Sequence, residues 1–137
     1  GASGPAAAGF LGFSPWTNLE CDTPTYYSNA FAQLTDLDGL VDYVGDVFLR
    51  GAPRNKTMAN RRTARAYAAG STDPLASPLH VAGEQLLSLP PLYLAVSGTE
   101  TMTGDGVIFG SRAAMQGVPV ALDVFYGMWQ AFPLYSE

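Results

Sequence analysis

Two apolar stretches of strand length, separated by one helix's worth of chain, constrain this sequence most. The first is Leu92-Tyr93-Leu94-Ala95-Val96, opened by Pro91; the second runs from Val118 to Tyr126. Between them, residues 105–116 read as a helix that Gly117 stops. Unbroken apolar runs of this length fit strands covered on both faces. Strand, helix, strand in that order is a βαβ unit, and so the core of a parallel α/β sheet. In open sheets of this kind the chemistry collects beyond the carboxyl ends of the strands. Glu100 follows the first run and Gln130 the second, which makes them the first candidate site residues.

Upstream, residues 6–13 (Ala6 to Phe13) form a third strand-length apolar run, bounded by Pro5 and Ser14-Pro15, with Gly9 and Gly12 marking bends or close packing. Residues 17–36 show no period, yet Tyr26, Tyr27 and Phe31 imply that the segment packs over something. Leu37, Leu40, Val41, Val44, Val47 and Phe48 follow the 3, 4 spacing of one helical face, so a helix is expected over 37–50. A further helix is expected over 57–69, ended by Gly70, and a short one near Val81 to Leu87.

The 137 residues have room for one domain, and 47% apolar content supplies a core. A net charge of −5 with no Lys/Arg run argues against a nucleic-acid partner. No apolar run reaches the roughly 18 residues of a membrane helix. No cluster of His, Cys and carboxylates has metal-ligand spacing, and no Gly-rich phosphate loop is present. Neither a metal nor an organic cofactor is therefore expected. The single cysteine, Cys21, rules out an internal disulfide framework.

Five ordered pieces of the chain resemble the C-terminal half of the hormone-sensitive-lipase-like α/β-hydrolases, the group of esterases and monoterpene ε-lactone hydrolases. They are Ser14-Pro15-Trp16-Thr17-Asn18-Leu19, Asp73-Pro74-Leu75-Ala76-Ser77-Pro78-Leu79, Leu89-Pro90-Pro91, the Val96 to Asp105 segment, and Gly127-Met128-Trp129-Gln130-Ala131-Phe132. Each is short, but together they cover nearly the whole chain in the family's order. The resemblance implies the last three strands of a larger sheet. It places Glu100 at the position of the catalytic acid and Gln130 at that of the catalytic histidine. It also offers Trp16, Trp129 and Phe132 as linings of an acyl pocket. The plain alternatives are a backbone-bonded or helix-capping carboxylate for Glu100, a helix cap for Asp105, and core packing for the aromatic residues.

Two departures set the functional expectation. The Gly-x-Ser-x-Gly elbow that carries the nucleophile in such enzymes is absent, as is the oxyanion-hole segment; both would lie upstream of residue 1. Glutamine cannot relay a proton as histidine does near neutral pH. The only histidine, His80, lies in a loop where the resemblance places no catalytic group. The expectation is a catalytically impaired hydrolase-like subunit or fragment serving in a larger assembly. The alternative is the C-terminal part of a serine carboxylesterase whose nucleophile lies upstream. In either case an N-terminal hydrolase half, or another chain, should cover the strand at Ala6–Phe13, because an open apolar edge is a template for pairing.

Overall fold

A computed structural model describes residues 7–29, 34–35, 41–42, 61–68, 72–128 and 130–135. Its centre is a parallel three-stranded sheet. β1 (Phe10–Phe13) pairs with β4 (Leu92–Ser97), and β4 pairs with β5 (Val120–Phe125), giving the order β1-β4-β5. The register sets Phe10 against Leu92 and Leu92 against Val120. The three expected strands are therefore present and parallel, and their carboxyl ends lie on one side of the molecule.

β4 is the middle strand, and five of its six residues are buried. Covering both faces requires the continuous apolar run seen in the sequence. The helix expected over 105–116 is α4 (Thr103–Met115), which starts two residues earlier. Its buried face includes Gly106, Phe109, Gly110 and Ala113. The glycines set how closely α4 approaches the sheet. A Cβ at Gly106 would come within 2.5 Å of a Val96 methyl, and one at Gly110 within 2.9 Å of a Leu94 methyl. Each glycine costs an exposed helix about 1 kcal/mol relative to alanine. Here that loss allows β4 and α4 to pack in contact. The core between them holds Leu86, Leu92, Leu94, Phe109, Ala113 and Val118.

Short elements complete the described fold: α1 (Thr25–Ser28), α2 (61–67), α3 (Gly83–Leu86), and single 3-10 turns at Pro78–His80 and Phe132–Tyr135. α2 lies within the helix expected over 57–69, and α3 within the one near Val81 to Leu87. The helix expected over 37–50 needs correction where it can be seen. Val41–Asp42 (β3) is extended and pairs antiparallel with Leu34–Thr35 (β2). Valine at 41 is a residue type whose helix propensity is low and whose strand propensity is high, which the apolar spacing alone does not weigh. The remaining residues of that segment lie outside the described ones.

Candidate active site

The site is built at the carboxyl ends of the three strands. β4 ends at Ser97, and a tight turn then carries Glu100 into the interior, where it is 0% exposed. Its Oε1 accepts the Ser97 backbone N–H at 3.0 Å. The turn is held from outside by Asn29, just after α1. The Asn29 amide nitrogen donates to the Gly98 and Glu100 carbonyls at 2.9 and 2.8 Å. The Thr103 hydroxyl donates to the Glu100 carbonyl at 2.6 Å, from the first turn of α4. Thr25 adds a bond to the Thr101 carbonyl at 2.8 Å. These bonds fix the backbone of the turn, and the bond from Ser97 N–H ties the buried carboxylate to the end of β4.

β5 leads into the second turn. The Met128 carbonyl accepts the hydroxyls of Ser97 and Thr99, each at 2.5 Å. The Ala131 N–H donates to the Ser14 hydroxyl at 2.8 Å, at the end of β1. Gln130 lies between these anchors. Its side-chain amide donates to the Met102 sulfur at 3.0 Å, two residues beyond Glu100. The two candidate residues thus come from turns that the fold brings into contact. The partner of the Gln130 amide is the Met102 thioether of the turn that carries Glu100, called the acid turn below for that carboxyl group.

Asp105 has a different role from the helix cap suggested by its position. The start of α4 has no side-chain cap. The Asp105 carboxylate instead turns to the 17–26 segment. It accepts the backbone N–H groups of Thr17 and Asn18 at 3.2 and 2.9 Å, the Thr23 hydroxyl at 3.1 Å and the Tyr26 hydroxyl at 3.2 Å. Burial pushes its pKa up to about 6, against the opposing pull of these donors. Burial first, and then the charge of Asp105, also raises the Tyr26 phenol. Beside it, burial raises the Cys21 thiol to about 11. Asp105 is thus the hub that ties the aperiodic loop to the sheet. Local spacing gave no signal of this, because the partners lie 79 to 88 positions away.

The Asp73 to Leu79 motif supports the same loop. The buried Ser77 hydroxyl accepts the Leu19 N–H at 2.9 Å, and Leu79 N–H donates to the Thr17 carbonyl at 2.9 Å. His80 is exposed and lies 3.2 Å from the Asn18 side-chain oxygen, an arrangement that makes it part of the loop's scaffold. Trp16 donates to the Asn18 carbonyl and packs on the cluster of Cys21, Tyr26 and Met102. Phe132 packs against Phe125 with ring centroids 5.0 Å apart. Trp129 lies outside the described residues. An apolar cavity of about 320 Å³ is lined by residues including Phe10, Pro78, Leu89, Pro90, Leu92 and Phe109, and by none of the candidate site residues. Among the described residues, no group of three or more His, Cys, Asp or Glu side chains could hold a metal ion, and no helix is long and apolar enough to cross a membrane.

Comparison with known proteins gives the family. A family described as the alpha/beta hydrolase fold matches residues 2–134. A double mutant of the esterase E40 is 27% identical with a TM-score of 0.70, covering 96% of this chain and 39% of that one. An esterase from the bacterial hormone-sensitive lipase family is 26% identical with a TM-score of 0.67, over 95% and 38%. A hormone-sensitive lipase from a metagenome library, 23% identical with a TM-score of 0.71 over 96% and 38%, shows the same fold. No curated protein matches. The chain spans well under half the length of these solved structures. Its parallel sheet and its match along nearly its whole length show that it belongs to the α/β-hydrolase fold family, with an esterase of the hormone-sensitive lipase family among the structures it is similar to.

Proposed function

We propose that the chain is a catalytically impaired part of a carboxylic-ester hydrolase, in which Glu100 stands at the acid position and Gln130 at the proton-carrying position. The observation that carries this reading is the Gln130 amide seated on Met102 of the acid turn. The framework that would orient an imidazole toward a buried carboxylate is kept, and the group within it cannot titrate. Loss of a general base costs such a reaction about 10² to 10⁴ in rate. Trp16, Trp129 and Phe132 would lie on the acyl side of such a site.

The same reading makes the chain an interaction component. Phe10, Leu11 and Phe13 of β1 are 45%, 67% and 41% exposed, an apolar strand whose described neighbour is β4 alone. An N-terminal hydrolase half or another chain would cover it. The native mass of the particle containing this chain tests this part. A mass well above 14.5 kDa is expected, and a stable particle of that mass contradicts it.

A second reading, the C-terminal part of a working serine esterase with its nucleophile upstream, is favoured by the burial of Glu100 and its bond to the Ser97 N–H at the end of β4. It requires ester turnover by the full-length protein that disappears in Glu100→Gln.

A further inference from the structure

Two non-glycine residues with left-handed backbone face each other across the site. Ser14 has φ 47° and Ala131 has φ 55°. A non-glycine residue in this region is strained, and the two are joined by the 2.8 Å bond from Ala131 N–H to Ser14 Oγ. Ser14 is 6% exposed and directly follows β1, so its position is set by the sheet. Ala131 directly follows Gln130. The Ala131 N–H belongs to the peptide that joins residues 130 and 131, so its bond to Ser14 fixes the peptide plane attached directly to the Cα of residue 130. Resting on the reading of position 130 given above, we propose that Ser14 is a positioning residue for that site. Its hydroxyl holds Ala131 in the left-handed conformation and so aims residue 130 at the acid turn. Ser97 and Thr99 perform the matching task on the other side, through the Met128 carbonyl.

The test uses the full-length protein carrying Gln130→His and reads the pKa of the introduced imidazole by NMR. A carboxylate neighbour raises an imidazole above its ordinary value of about 6.5, to about 7.5 or higher. Ser14→Gly keeps the left-handed backbone at low cost and removes only the acceptor. Added to Gln130→His, it should return the imidazole to within a few tenths of its ordinary value. Thr99→Val, which removes one hydroxyl at nearly constant shape, gives an independent second variant and should move the imidazole in the same direction. An imidazole that stays raised in both Ser14→Gly and Thr99→Val overturns the proposal. If Glu100→Gln leaves the imidazole of Gln130→His unmoved, the reading of the site falls, and the positioning role with it.

Discussion

Tyr26 and Asp105 stand 79 positions apart in the chain and meet inside it, the phenol donating to the carboxylate at 3.2 Å. Both are buried, at 1% and 0% exposure. Asp105 lies in the first turn of α4, and Tyr26 lies in α1, whose flanks hold the acid turn through Thr25 and Asn29. The bond therefore joins the strand–helix unit to the loop that braces the candidate site.

Removing the Asp105 carboxylate leaves the N–H groups of Thr17 and Asn18 without their acceptor. Unsatisfied buried donors cost about 1–3 kcal/mol each. Asp105→Ala should lower the unfolding free energy by about 3 kcal/mol or more, read from denaturant midpoints. Asp105→Asn keeps one carbonyl acceptor and should cost clearly less. Equal losses for the two would contradict the hub role.

The carboxyl of Asp105 titrates near 6 in the folded protein, above the unfolded carboxylate value of about 3.9. The folded state therefore holds this proton more tightly. Its contribution to stability is complete below about pH 4 and is lost as pH rises through about 6. The difference between the two values corresponds to about 3 kcal/mol over that interval. Unfolding measured from pH 4 to 7 should show native stability falling relative to Asp105→Asn, and a constant gap would refute the assignment.

Gly106 has no room for a methyl group, since a Cβ there would sit 2.5 Å from Val96. Gly106→Ala should destabilise by about 1–3 kcal/mol despite alanine's better helix propensity. Trimming the neighbour with Val96→Ala should recover part of that loss in the double mutant, a coupling that independent sites would not show.

Cys21 is 0% exposed and its thiol is raised to about 11. At pH 8 only about a thousandth of it is thiolate. Modification by a thiol reagent should be slow in the native protein and fast in denaturant. Rapid stoichiometric labelling of the folded protein would contradict the placement of the 17–29 segment.

β4 and α4 were legible because burial on both faces of β4 forces a continuous apolar run, and Gly117, at φ 92°, marks the helix end; β5, expected to be covered on both faces as well, is instead half-buried or exposed along its whole length. Glu100 and Gln130 stood out as candidates because strand ends are where parallel sheets place polar groups. The bracing of the site was not legible. Asn29, Thr25 and Ser14 act through partners 69 to 117 positions away, which no local spacing encodes. Asp105 stands where a helix-capping acid would, and its turn toward Thr17 and Tyr26 is fixed by tertiary packing alone. The periodic face at Leu37 to Phe48 suggested helix, but at Val41–Asp42 the backbone is extended and pairs with Leu34–Thr35, a pairing that local periodicity does not encode.

On the proposed reading, position 130 breaks a relay whose frame is intact, and ester hydrolysis by the full-length protein is its sharpest test. Four proteins are compared: native, Gln130→His, Glu100→Gln, and the two substitutions together. Native turnover should stay at buffer background, rise about 10²-fold or more in Gln130→His, and be lost again in the double variant. Native turnover that depends on Glu100 and is not raised by Gln130→His would contradict it.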